Sequence, residues 1–217
     1  MNQNLILKGL EVGPFMSNCF IVGSRQSKKG VIVDPGADAP DILREAQTDG
    51  LDIQLVVITH GHVDHISAAA AVKEATGARV AVHKDDAQQM LSGHSSAASM
   101  FGMRFDPPPE PDRLLEDGEK IEVDGLSFVV LHTPGHSLGG ICLYGEGVVF
   151  TGDTLFNLSI GRFDLPGGDG PLLVSNIHAK LMVLPEETIV LPGHGPQSTI
   201  GHEKQWNPFL KENFLEL

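Results

Sequence analysis

The stretch that most constrains this chain is Thr59-His60-Gly61-His62-Val63-Asp64-His65. His60, His62, Asp64 and His65 are all metal-ligand types, and they follow directly on Leu55-Val56-Val57-Ile58, an apolar run that reads as a buried strand. Polar groups at the end of a buried strand are costly unless something satisfies them. A metal ion would satisfy them all. Side chains two apart in an extended segment point the same way, so His60 and His62 can reach one ion together. The turn into the next helix separates Asp64 and lets it pair with His65. The stretch thus offers two ligand pairs aimed at neighbouring points, which suits two ions a few Å apart.

The chain has ten histidines, and the search for further ligands follows from that number. His136 sits in Thr133-Pro134-Gly135-His136-Ser137, Asp153 in Phe150-Thr151-Gly152-Asp153-Thr154, and His194 in Leu191-Pro192-Gly193-His194-Gly195. Each follows a strand-like apolar run and stands beside a glycine, which lets the backbone turn sharply and ligands crowd. Loops at one edge of a sheet converge, so these can share a site with the first stretch.

Element by element, strands are expected at Leu5–Val12 and Cys19–Gly23, with Pro14 and Asn18 marking the loop between them. Gly30–Val33 is a strand ending in a turn at Gly36, and Asp38 is a plausible N-cap for a helix that runs to Thr48. Then come a strand Leu51–Ile58, a helix His65–Thr76, a strand Arg79–Val82 and a helix Lys84–Leu91. Ser92–Pro111 is the least regular part, and its Met100-Phe101-Gly102-Met103 is a candidate cap for a substrate pocket. The second half turns to short strands: Arg113–Leu115, Lys120–Val123, Leu126–His132, Gly140–Tyr144 and Val148–Thr151. Asp-Gly and Glu-Gly pairs separate several of them, a hairpin signal. A helix over Gly170–Leu184, a strand over Thr188–Leu191 and a final helix after Ile200, interrupted at Pro208, complete the chain. The two halves have similar element content. That suits an α/β fold of two sheets packed face to face with helices outside, a four-layer αββα sandwich in one domain spanning residues 1–217.

Bulk properties narrow the function. A net charge of −13 argues against nucleic acid as a partner. No run approaches the ~18 apolar residues of a membrane span, so no membrane partner is expected. The N-terminal segment lacks a basic region and its apolar run breaks at Lys8, so the expected compartment is the cytoplasm. Cys19 and Cys142 lie in apolar strand-like segments and read as buried reduced thiols. His132 reads as a packing or supporting residue, His178 as a non-ligand, and His83, His94 and His202 as surface residues.

The motif His60-x-His62-x-Asp64-His65, followed in order by His136, Asp153 and His194, resembles the metal signature of the metallo-β-lactamase fold superfamily. Gly30–Gly36 resembles its Val-Asp-x-Gly turn, and the likeness covers roughly Asn18 to Leu210. Gly152–Phe156, Ser159–Asp169 and Pro192–Pro196 are similar to the short, single-domain bacterial relatives of glyoxalase II, called hydroxyacylglutathione hydrolase-like. That resemblance implies that His60, His62 and His136 hold one divalent ion, that Asp64, His65 and His194 hold a second, and that Asp153 bridges them. Zinc is the expected metal, with iron or manganese as alternatives. The implied enzyme is a metal-dependent hydrolase that cleaves a small-molecule thioester such as S-lactoylglutathione with a metal-bound hydroxide. Asp64 and Asp153 would be its catalytic carboxylates, and Arg162 would bind a substrate carboxylate or pair with Asp164 or Asp169. Full-length glyoxalase II has a separate helical domain for glutathione after the last ligand, whereas here only Gly195–Leu217 follow. The alternative within the same fold is a persulfide dioxygenase with a single iron, suggested by a partial likeness at Gly161-Arg162-Phe163-Asp164.

Overall fold

Strands that are apolar on both faces need cover on both faces, and the central strands here are of that kind. The computed structural model describes residues 3–92 and 106–211. Its first sheet holds six strands in chain order: β1 (Leu5–Val12), β2 (Ser17–Ser24), β3 (Lys29–Val33), β4 (Asp52–Ile58), β5 (Arg79–His83) and β6 (Arg113–Leu115). β1 to β3 are antiparallel neighbours, and β3 to β6 run parallel. Parallel neighbours need a crossover. α1 (Ala39–Thr48) provides it between β3 and β4, and α2 (Val63–Ile66) with α3 (Ala69–Thr76) between β4 and β5.

The second sheet is built from β7 (Lys120–Val123), β8 (Leu126–His132), β9 (Ile141–Gly145), β10 (Val148–Gly152), β13 (Ile189–Pro192) and β14 (Ser198–Thr199). Only β10 and β13 are parallel in it. Between those two lie a small hairpin, β11 (Leu155–Phe156) with β12 (Ser159–Ile160), and α4 (Gly170–Asn176). α5 (Ile200–Trp206) follows β14.

Three apolar layers hold this together. Between the sheets, Phe20, Val33, Val57, Phe128, Val130, Phe150 and Leu191 belong to one buried cluster. Outside the first sheet, Ile42, Ile66, Ala69 and Val72 of the helices pack on Ile32, Val56 and Val80. Outside the second, Leu173, Ile177, Leu181 and Ile200 pack on Cys142, Val149 and Val190. The expected αββα sandwich is the observed architecture. Both cysteines are buried and unpaired, as expected. Among the described residues no helix is long and apolar enough to cross a membrane.

Local departures from expectation have physical causes. Asn18 lies within β2, not in a loop, because its main chain and side chain bond to the His194 loop. Arg113–Leu115 joins the first sheet rather than the hairpins, pairing parallel with β5. The helix expected over His65–Thr76 breaks between α2 and α3, where the Ala68 N–H turns aside to the Pro35 carbonyl. Asp38 does stand before α1, but in a left-handed conformation, and its carboxylate accepts the Gly13 N–H instead of capping the helix. The helix expected over Gly170–Leu184 is α-helical only to Asn176 and continues as a π-turn over Ile177–Leu181. Met100-Phe101-Gly102-Met103 and His94 lie outside the described residues.

Candidate metal centre

All the ligand-type residues sit where strands of both sheets end. β4 delivers His60 and His62, and the first turn of α2 delivers Asp64 and His65. His136 follows β8, Asp153 follows β10 and His194 follows β13. The two sheets are sewn together beside the last of these. Ser17 of β2 makes a bridge to His194, and the Asn18 N–H donates to the Gly193 carbonyl at 2.7 Å.

The donor atoms fall into two groups. Nitrogens of His60, His62 and His136 converge within 4.8 Å of one another, and so do ligand atoms of Asp64, His65 and His194. Asp153 touches both: its carboxylate lies 3.4 Å from His65 Nε2, 3.6 Å from His136 Nε2 and 3.7 Å from His194 Nε2. Close approach is built into the backbone at Gly193, where a Cβ would overlap the Asp153 carboxylate and the His65 ring.

Hydrogen bonds behind the imidazoles set their tautomers. The Thr59 hydroxyl donates to Asp34 Oδ2 at 2.6 Å, so it accepts from His60 Nδ1, 3.1 Å away. His65 Nδ1 donates to the same Asp34 oxygen at 3.0 Å, and His136 Nδ1 donates to the Arg162 carbonyl at 2.7 Å. In all three rings Nδ1 is the bonded donor and Nε2 is turned inward; in His60 that Nε2 is a lone pair, and in His65 it is the position an ion would take from a proton. His60 Nε2, His65 Nε2 and Asp153 Oδ1 are buried without a hydrogen-bond partner. Buried orphans of this kind need an explanation, and a cation satisfies all three. His62 Nδ1 faces His136 Nε2 at 2.8 Å and completes the first group. The residues therefore fit two metal ions.

Electrostatics distinguishes the groups. Burial pushes His60 well below the ordinary imidazole range, helped by the neighbouring histidines. Burial brings His62 down to about 4. Burial opposes charge at His65 as well, but Asp64 and Asp153 outweigh it and hold that ring well above the ordinary range. His194 is likewise raised against burial by its bond to Asp64 at 3.1 Å. In turn, against burial, His65 and its neighbours hold Asp64 and Asp153 below the ordinary carboxylate range. In the first group His60 and His62 are held as neutral nitrogens, and the second is a charged cluster in which protons hold the places of a cation.

Arg162 reaches the centre through its carbonyl. Its guanidinium is exposed and makes a two-pronged pair with Asp164 at 2.8 Å on each prong. His202 is exposed, as expected, and His178, read as a non-ligand, is exposed too. His83 is a correction: it is buried, not at the surface, and stacks on His132 with ring centroids 3.9 Å apart. Asp34 had no assigned role beyond its turn, yet its buried carboxylate orients two ligand rings, one directly and one through Thr59. The signal for it was the likeness of Gly30–Gly36 to a family turn. Beside Asp64 opens a cleft of about 390 Å³, lined by Val12, Pro14, Phe15, Ala37, Ala68 and others. Among the described residues its charged lining is Asp38, Asp64 and Asp106.

A sandwich whose strand ends bring together two such donor groups defines a class of metal-dependent hydrolases. The chain belongs to the metallo-β-lactamase superfamily, whose family model matches residues 12–194. It is 35% identical over 204 residues to the hydroxyacylglutathione hydrolase GloC of Haemophilus influenzae, covering 93% of this chain and 96% of that protein. It is similar to the crystal structure of the B3 metallo-β-lactamase BLEG-1, at 37% identity and a TM-score of 0.89, over 95% of this chain and 100% of that one. It is also similar to TTHA1623 in a di-iron-bound form, at 39% identity and a TM-score of 0.84, over 94% and 100%.

Proposed function

We propose that this protein hydrolyses a small-molecule thioester, of which S-lactoylglutathione is an example, at a dinuclear centre. The observation that carries this reading is the pairing of two donor groups through Asp153, with three buried ligand atoms left without partners. The 35% identity to a hydroxyacylglutathione hydrolase supports the choice of substrate class. His60, His62 and His136 would hold one ion, Asp64, His65 and His194 the other, and Asp153 both. Zinc suits this mixed nitrogen and carboxylate set, and iron or manganese also fit it. Two bound cations supply a water acidified towards neutrality and a Lewis acid for the thioester carbonyl. The chain's own residues do the rest. Asp34 and Thr59 fix the rings of His65 and His60, so that each Nε2 faces the centre before substrate arrives. Asp64 and Asp153, both held ionised, are the carboxylates able to orient the attacking water and take up its proton. No serine or cysteine nucleophile is required. Arg162 stands at the rim as the contact for a substrate carboxylate, which must displace Asp164 from it. The cleft beside Asp64, with its apolar lining of Val12, Pro14, Phe15 and Ala68, is the place for an apolar part of the substrate.

The second reading is a persulfide dioxygenase with a single iron. The Gly161-Arg162-Phe163-Asp164 segment supports it, although the similar TTHA1623 structure carries two irons, not one. One experiment separates the readings. Zinc and iron per chain are measured in the purified protein, which is then given S-lactoylglutathione, glutathione persulfide with oxygen, and a chromogenic β-lactam. Two metals per chain with thioester cleavage is the expected result. Oxygen uptake with one iron and no thioester cleavage overturns the hydrolase reading, and β-lactam turnover without thioester cleavage redirects it to amide substrates.

A further inference from the structure

We infer that Asp86 is a positioning residue for the first ion, holding the two loops that carry His60, His62 and His136 in register. The inference rests on the dinuclear reading above. Asp86 is fully buried at the turn after β5. Its Oδ2 accepts the Gly61 N–H at 2.8 Å and the Ser137 hydroxyl at 2.8 Å, and its Oδ1 accepts the Gly139 N–H at 2.5 Å. Gly61 is the residue between His60 and His62, and Ser137 follows His136 directly. One carboxylate therefore joins both halves of the first donor group from behind, over a sequence distance that no local turn could bridge.

Other observations point the same way. Among the described residues no cation pairs with this carboxylate, so its satisfaction comes entirely from the two ligand loops and none from a structural salt bridge. The loops also press on the turn that carries it. A Cβ on Gly139 would overlap the Asp86 main chain, and one on Gly61 would meet Met90 N at 2.7 Å. Asp86 does not belong to either donor group, because its oxygens face away from the centre into these three bonds. An asparagine has the same shape, but it must turn an amide N–H towards a backbone N–H on one side. At least one loop is then released. Residues behind the ligands of a metal typically change its affinity by about 10–100-fold when altered. Among the described residues no hydrogen bond or ion pair joins Asp64, His65 or His194 to Asp86, so the second ion should be untouched.

The test is a zinc titration of metal-stripped full-length protein against a chromophoric chelator, for wild type, Asp86→Asn, Ser137→Ala, His62→Ala and Val149→Ala. His62→Ala identifies which binding step belongs to the first group. Val149→Ala, a core truncation on the far face of the second sheet, controls for lost stability. The expected result is that Asp86→Asn weakens the first-group step about 10–100-fold and leaves the other step in place. Ser137→Ala should weaken the same step less, and Val149→Ala neither. If Asp86→Asn does not fold, Ser137→Ala decides alone: a selective loss at the first step supports the inference, and wild-type binding overturns it. Wild-type binding by Asp86→Asn, or equal loss at both steps, overturns it while the dinuclear reading stands. A wild-type protein that takes up no zinc or iron overturns both.

Discussion

At the residue scale the centre depends on groups that never touch a metal. Asp34 accepts the Thr59 N–H at 2.7 Å, the Thr59 hydroxyl at 2.6 Å and His65 Nδ1 at 3.0 Å. Asp34→Asn must place an amide N–H against one of these donors. We expect metal affinity or turnover to fall about 10–100-fold with the fold retained, as read by metal content and circular dichroism. The two donor groups should also differ in their response to pH. Ligands bind metal only when deprotonated. His62 is held at about 4, so its availability is flat across the neutral range. His65 and His194 are raised and carry protons that an ion must expel. Filling the Asp64–His65–His194 group should therefore release more protons, and its affinity should climb as pH rises through neutrality. Calorimetry in buffers of different ionisation enthalpy counts those protons. Equal proton release at both steps would contradict this account.

At the scale of elements, the strands do two jobs: they bury apolar faces and they aim their last residues at one point. Phe150 shows the first job. It packs between Phe20 and Phe128, with ring centroids 5.3 and 5.9 Å away. Phe150→Ala should cost about 3–5 kcal/mol, measured by denaturant unfolding. Because Phe150 lies three residues before Asp153, metal affinity should fall as well. The sequence made the sandwich and the gathering of its ligand-type residues legible because each signal is local: an apolar run, then a ligand type with a glycine close by. It could not reveal what depends on distant partners. The sheet that Arg113–Leu115 joins is chosen by β5, not by its own residues. The two-residue strands β11, β12 and β14 are too short to carry a period. The break between α2 and α3 is set by the Pro35 carbonyl, and Asp86 is one acidic residue among many until the loops of Gly61 and Gly139 close on it. His83 looked like a surface residue for the same reason, since only the fold brings His132 over it.

At the scale of the whole molecule, bound metal is also folding energy. Each ion that binds only the folded chain stabilises it by about 2.7 kcal/mol at a free concentration of 100 times its Kd. For a domain of this length, 1 kcal/mol moves the melting midpoint by roughly 2–4 °C. Stripping one ion with a chelator should therefore lower the midpoint by roughly 5–11 °C, and adding metal back should restore it. Calorimetric scans with and without chelator measure this, and a midpoint unmoved by chelation would mean that the donors hold no ion under those conditions.

The bridge between Ser17 and His194 has a consequence for how the protein is made. Asn18 fastens the last ligand loop three times, through its N–H to the Gly193 carbonyl and through its side chain to the Pro192 and Gly195 carbonyls. One partner of this seam leaves the ribosome well before the other. At ~5–20 residues per second, Ser17 waits roughly ten seconds or more for His194. A translation product cut short before Pro192 still contains His60, His62 and His136. It lacks both the ligand and the stitching that close the second half.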